Sequence, residues 1–306
     1  MTRPSPDDAK RLLIVGCGYV GAYVASVAQE AGEQVFALTR SAARGDQLRQ
    51  LGIEPVVGNW LQPDSLTKLP RVDQLLVSIP HRAEESTAQS TAQSTAGKLS
   101  EEQVSQTHAV GLQNLLHALP NDWRKLVYLS TTGVYGQDSS TLVDEETPVH
   151  PTRSGPKMAV MAEEWLQEHV AADRYTVLRL AGIYGPGRIP LANKLRQREP
   201  LAVPLDGHLN LVHVRDISRM IHIVADRTMQ RPCYVFSDGQ PVVRETFYRR
   251  VAHLCGVPDP VFISPDPQDA KVRRATDKRI NPTRLVTETH FVYQFPDYTS
   301  GLGTSL

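Results

Sequence analysis

The residues best placed for chemistry stand near the start of the chain. Leu12-Leu13-Ile14-Val15 runs straight into Gly16-Cys17-Gly18-Tyr19-Val20-Gly21, a Gly-x-Gly-x-x-Gly loop, and Ala22, Val24, Ala25, Val27 and Ala28 follow at helical spacing. Between a strand and a helix each glycine has a purpose: Gly16 for the tight turn, Gly18 so that backbone can touch a pyrophosphate, Gly21 for close helix–strand packing. The helix start adds unpaired N–H groups and a positive dipole end. Gly16, Gly18, Tyr19, Val20 and Gly21 are therefore expected to hold a dinucleotide. The choice between dinucleotides falls to the next apolar run, which ends Ala37-Leu38-Thr39-Arg40, with Arg44 one turn later and no acid nearby. A carboxylate there would accept the ribose hydroxyls of NAD, whereas a guanidinium pairs a 2′-phosphate through two parallel hydrogen bonds. Thr39 and Arg40 accordingly point to NADP, with NAD the alternative.

Such groups need a rigid frame, and the first 180 residues supply one. Apolar runs at Leu12–Gly16, Gln34–Leu38, Glu54–Val57, Gln74–Ile79, Lys125–Ser130 and Tyr175–Leu180 read as strands, with helices at Tyr19–Ala31, Glu101–Leu119 and Met158–Ala171. Val-, Ile- and Leu-rich strands alternating with amphipathic helices make βαβ units, and right-handed crossovers turn these into a doubly wound parallel sheet. The expected fold is α/β, Rossmann-type, with a smaller C-terminal substrate lobe. Residues 1–182 form the dinucleotide-binding core, and residues 183–306, broken by Pro186, Pro190, Pro200 and Pro204, form the lobe, interleaved with the core in one extended domain. Residues 86–97 read STAQ-STAQ-STAG, too small and polar to bury a core, and are expected to be a neutral insertion.

Composition narrows the partners. Lys+Arg and Asp+Glu both total 33, so no basic field invites nucleic acid and no single-sign surface invites a membrane. The polar Met1–Lys10 lacks the apolar core of a signal peptide, and no run of ~18 apolar residues suggests a span. Cys17, Cys233 and Cys255 are far apart without metal-ligand spacing, so reduced thiols, a cytoplasmic location and no metal are expected. The chain is expected to act on a small molecule as a monomer or homodimer.

Further segments, KLVYLSTTGVYG from Lys125, then LRLAGIYGPGR, NLVHVRDIS and DKRINPTRL…YQFPDYTSGL, together with the glycine loop, resemble the extended short-chain dehydrogenase/reductase superfamily. The likeness is to its NAD-dependent epimerase/dehydratase group and, at the closing segment, to the atypical YeeZ-like subgroup. The resemblance implies a Ser or Thr after the fifth strand that positions a substrate hydroxyl or carbonyl, here Thr131. It implies a Tyr-x-x-x-Lys helix in which Tyr is the acid/base and Lys holds the ribose. It places Asn59, beside Trp60, where the family has an Asp that meets adenine, and Ser78 and Pro80 at the cofactor's inner edge. Thr132, Tyr135, Arg188 and Asn210 fall where substrate is met, with Arg179 a second anionic anchor.

The tyrosine is missing from this pattern. No tyrosine lies between Tyr135 and Tyr175, and the helix begins Pro151-Thr152-Arg153-Ser154-Gly155-Pro156-Lys157-Met158. If Lys157 is the family lysine, Arg153 takes the Tyr position; if Glu163 sets the register, Gly155 and Ala159 replace both. A guanidinium stays protonated and only donates, so Arg153 cannot substitute. Thr131, Lys157 and Tyr184 remain as catalytic candidates, Lys157 also for the ribose. Asp216 is expected to cap the helix it starts, and His213 to be a satisfied buried imidazole. Two readings stand: an NADP-dependent oxidoreductase or epimerase/dehydratase-like enzyme with a non-standard acid/base, acting on a small carbonyl, hydroxyl or sugar-nucleotide-like substrate, or a non-catalytic NADP(H)-binding redox sensor or regulatory protein.

Overall fold

The expected strands assemble side by side. In the computed structural model, which describes residues 9–81, 101–136, 142–205, 207–264 and 277–306, seven strands form one sheet: β1 (Arg11–Val15), β2 (Gln34–Thr39), β3 (Glu54–Val57), β4 (Gln74–Val77), β5 (Lys125–Thr131), β6 (Tyr175–Leu180) and β7 (Cys233–Phe236). Their order is β7-β6-β5-β4-β1-β2-β3, and the pairs β1–β2, β1–β4, β2–β3 and β4–β5 are parallel. Leu12–Val15 and Gln74–Val77 are buried at every residue, as strands covered on both faces must be. The helices are α1 (Tyr19–Glu30), α2 (Ala42–Gln50), α3 (Glu101–Ala118) and α4 (Ser154–His169). The STAQ repeat and residues 1–8 lie outside the described residues.

The order reverses between β1 and β4. The chain lays β2 and β3 to one side of β1, then returns to lay β4 and the later strands on the other. In open α/β sheets, ligands bind outside the carboxyl ends of the strands at this switch point. Here β1 ends in the glycine loop and β4 ends in Ser78-Ile79-Pro80-His81.

The chain divides into two compact units. Unit 1 comprises Met1–Val134, Pro151–Leu178 and Ser218–Cys233, and its core joins Leu13, Val15, Leu75, Val77, Leu115 and Leu126. Unit 2 comprises Tyr135–His150, Arg179–Ile217 and Tyr234–Leu306, around Tyr184, Leu195, Leu201, Leu211, Phe247 and Val251. Its short strands include Gly182–Tyr184, parallel to Leu211–His213, and its helices include α5 (Ala192–Arg196) and α7 (Arg244–Leu254). Helix α6 (Val214–Ala225) begins in unit 2 and continues in unit 1.

Strand β7 and helix α2 are not among the elements expected from the sequence. Strand β7 is a four-residue run just after Pro232, in a stretch whose prolines mask strand periodicity. Asp216 is the third residue of α6, in its first turn, and its carboxylate accepts the backbone N–H groups of Gln294 (2.8 Å) and Phe295 (2.9 Å), which holds the C-terminal segment of unit 2.

Candidate functional site

The glycine loop holds two glycines hemmed in by their neighbours and one with open space around it. Gly16 adopts φ +94°, and a Cβ there would meet Ile79 and the Ser78 backbone at 2.9 Å; at Gly21 a Cβ would meet the Gly16 carbonyl at 2.9 Å. Gly18, the residue before α1, has φ −93° and would find nothing within 4 Å of a Cβ. No side chain caps the helix there. Ser78 Oγ donates to the Gly16 carbonyl (2.7 Å), and Arg44 Nη2, from α2, donates to the Cys17 carbonyl (3.0 Å). Ser41 caps α2 by accepting the Arg44 N–H, which fixes where that arginine starts. Burial pushes the Cys17 thiol up, with Arg44 opposing, so Cys17 is a protonated filler and not a reactive thiolate.

The remaining nucleotide candidates separate. Thr39 is half-buried at the end of β2, where its carbonyl accepts the Gly58 N–H (2.9 Å), and Arg40 is exposed beside it. Tyr19 lies edge-on to Tyr23, and Val20 is buried. Asn59 Oδ1 accepts the Leu61 N–H (3.1 Å) while its own N–H goes to Ser65 Oγ (2.8 Å), so its side chain holds a turn. Trp60 is a core residue: its ring occupies the space where a Cβ of Gly111 would stand, and it lies edge-on to His108 at 5.0 Å. Pro80 is exposed, and its carbonyl accepts from His108.

Around the end of β5, Thr131 Oγ1 accepts the Gly133 N–H (3.0 Å). A Cβ at Gly133 would lie 3.1 Å from Pro156 and 3.5 Å from Arg153 Nη2, so the first turn of α4 docks closely on this bend. Thr132 is buried. On α4, Gly155, Ala159 and Glu163 share one line at four-residue spacing, with Gly155 and Ala159 buried and Glu163 Oε1 accepting from Ser130 Oγ of β5. The His81 carbonyl occupies the position a Gly155 Cβ would take. Lys157 is off that line and lines a cavity of about 440 Å³ with Glu102, Ser105, Pro151, Val160 and Met161.

A group that sequence reasoning missed lies behind Thr131. Tyr128 of β5 is fully buried, and its hydroxyl bonds His81 Nε2 (2.8 Å) and His108 Nδ1 (2.9 Å), whose rings stack at 4.5 Å. Burial pushes His81 down to about 4 and, with His81 beside it, His108 down to about 3. Both imidazoles are neutral at pH 7. Burial, with Glu163 nearby, holds the Tyr128 phenol protonated. The sequence signal is slight: a Pro-His pair just past a strand.

In unit 2, Tyr135 is buried and its hydroxyl accepts from Arg179 Nη1 (2.8 Å), with the guanidinium 5.1 Å from the ring centre. Tyr184 is no candidate acid. It is fully buried, donates to the Asp297 carbonyl (3.1 Å), and burial, followed by Asp238, raises its pKa far above the ordinary tyrosine value. Asn210 is also committed: Nδ2 donates to the Lys278 carbonyl (2.8 Å) and Oδ1 accepts the Ile280 N–H (2.7 Å). Arg188 is exposed in a turn closed by reciprocal backbone bonds with Gly185. His213 is buried between Ser305 Oγ and the Arg215 N–H, and burial pushes it down to about 4.

Comparison with known proteins agrees with this frame. Protein YeeZ of Escherichia coli K12 is 26% identical over 296 residues, which span 94% of this chain and 97% of that protein. A functionally unknown conserved protein from Silicibacter pomeroyi DSS has a solved structure 25% identical, with TM-score 0.75 over 96% of this chain and 97% of that one. The UDP-glucose 4-epimerase of Thermus thermophilus, solved as a complex with NAD, shares the fold at 16% identity, with TM-score 0.76 over 96% and 97% of the two chains. No helix of the described residues is long and apolar enough to cross a membrane. The model of the NAD dependent epimerase/dehydratase family matches residues 12–234, and the chain belongs to that family.

Proposed function

We propose that the protein binds NADP(H) on its glycine loop and uses it in oxidoreductase or epimerase/dehydratase-type chemistry on a small hydroxyl- or carbonyl-bearing molecule, with sugar nucleotides the first class to try. The observation that carries this reading is Gly18. Gly16 and Gly21 are glycines because the fold leaves no room for more, but a Cβ at Gly18 would stand in open space at a negative φ. A glycine whose Cβ would meet no neighbour, at a helix start that no side chain caps and directly after the switch-point strand, fits a pyrophosphate lying against its backbone. Bound there, the nicotinamide supplies or accepts a hydride. Thr131 would then orient the substrate oxygen.

Within this reading α4 adopts the register set by Glu163, so Gly155 and Ala159 stand at the family's Tyr and Lys positions. The His81 carbonyl at Gly155 favours a second reading, a non-catalytic NADP(H)-binding sensor, because it closes the place a tyrosine side chain would leave from. Substitution tests the shared premise. Gly18→Val should abolish NADPH binding, followed by nicotinamide fluorescence, while leaving the circular dichroism and a cooperative melt intact. Wild-type affinity in that variant would refute the assignment.

A further inference from the structure

At the amino ends of the strands, away from the glycine loop, unit 1 holds a second cluster. Glu33 immediately precedes β2, Lys10 precedes β1, Asp73 precedes β4, and His222 and Asp226 lie four residues apart at the end of α6, on one helix face. A nitrogen of His222 and one oxygen each of Glu33 and Asp226 all lie within 4.8 Å of one another. Glu33 Oε1 is 3.7 Å from His222 Nδ1, and the Glu33 side chain is only 5% exposed. Its Oε2 is buried with no hydrogen-bond partner.

That orphaned oxygen is the decisive feature. A carboxylate taken out of water without a partner is costly, and either a proton or a cation relieves it. Lys10 is already engaged: its Nζ lies 2.5 Å from Asp226 Oδ1, which also accepts from Gln74 Nε2 (2.6 Å). Asp73 adds a further negative charge nearby while Oδ2 accepts the Arg11 N–H (3.0 Å). Lys10 serves Asp226 and Arg124 Nε stands 3.8 Å from Asp73 Oδ1, which leaves Glu33 with His222 beside it.

We propose that Glu33, His222 and Asp226 bind a divalent first-row transition ion of the zinc class. One imidazole nitrogen and two carboxylate oxygens form a borderline donor set that suits zinc or cobalt and leaves a fourth tetrahedral position for water. Ligand bonds of ~2.0–2.2 Å draw the three side chains together by about an ångström, which exposed Lys10 can yield to by swinging aside. The ion would tie the α1–β2 turn to the end of α6, at the sheet edge opposite the switch point. Its role is structural, and it is independent of the dinucleotide.

The full-length protein, stripped with a chelator and dialysed, tests this by titration with Zn²⁺ in a calorimeter and with Co²⁺ by visible absorption. One equivalent should bind, with tetrahedral Co²⁺ bands that Zn²⁺ displaces. At ~100-fold excess over Kd the melting temperature should rise by about 5 °C and fall back with chelator. Glu33→Gln and His222→Gln should each weaken binding at least ~10-fold, a loss of about 1.4 kcal/mol. Lys10→Ala should keep or tighten it, and NADPH affinity should not change in any variant. Absence of saturable binding, or binding untouched in the Glu33→Gln and His222→Gln variants, would overturn the site.

Discussion

Arg40 and Arg44 stand four residues apart yet do different things, and substitution separates them. Arg40 is exposed at the end of β2, where a 2′-phosphate is expected; Arg44 reaches back to the Cys17 carbonyl inside the loop. A charge-assisted bidentate pair contributes ~1.5–3 kcal/mol, so Arg40→Ala should lower NADPH affinity roughly ten- to hundredfold and leave NADH unchanged. Arg44→Ala should weaken both dinucleotides, because it loosens the loop they share. Titration of both variants with both ligands reads the difference directly. If the protein turns over a substrate, Thr131→Val should lower kcat/KM by a large factor, because the methyl can neither donate to nor accept from the substrate oxygen. A rate indifferent to Thr131 would place the chemistry elsewhere. The residue roles were unevenly legible in the sequence. The glycine loop could be read because its three glycines fall within six residues, directly between an apolar run and a helical pattern. Trp60, Tyr184 and Asn210 could not, because their commitments to Gly111, the Asp297 carbonyl and the Lys278–Ile280 backbone are long-range contacts that no local spacing encodes.

Helix α4 shows how much an element depends on one small residue. Gly155 lets the His81 carbonyl pass against the helix start, and Pro156 presses on Gly133 beside it. Gly155→Ala should force helix and strand end apart, costing about 1–3 kcal/mol as overpacking does, and lower the melting temperature by several degrees. Glycine is otherwise the poorer helix former, so a thermal melt showing Gly155→Ala neutral or more stable would contradict the close approach. Of the elements, the well-buried ones with apolar centres were legible: β4 is buried throughout, β1, β5 and β6 are buried at all but one residue, and α1 repeats small apolar residues on one face. Helix α2 was not, because only Gly45 and Leu48 are buried in it and its polar sequence has no apolar stripe. Strand β7 was not, because four residues after a proline are too few to show a period.

Over the whole molecule, buried titratable groups make stability depend on pH in two opposed ways. His81 and His213, held near 4, and His108, near 3, stay neutral in the fold, while the unfolded chain takes up protons below ~6.5. Their contribution is present above that pH and is lost as pH falls from about 6.5 towards 4, on the order of 2 kcal/mol each. Asp238 does the reverse. Burial pushes its carboxyl up to about 7, its Oδ2 has no hydrogen-bond partner, and Oδ1 accepts the Gln240 N–H. The fold keeps that proton while the unfolded chain releases it near ~3.9, so stability is lost as pH rises from about 4 through 7. Asp238→Asn keeps the Gln240 contact without the charge, and should melt higher than wild type at pH 8 by several degrees but not at pH 5. Melting curves with the opposite order would show Asp238 ionised in the fold. The doubly wound architecture was legible at this scale because alternation of apolar strands with amphipathic helices leaves few other folds. The pH dependence was not, because burial of a histidine or aspartate is decided only once the chain has folded. The most direct test of the whole account is a titration of the wild-type protein with NADPH and with NADH, following nicotinamide fluorescence. Saturable binding of both, with NADPH roughly ten- to hundredfold tighter, is the predicted result; no saturable binding of either dinucleotide would contradict it.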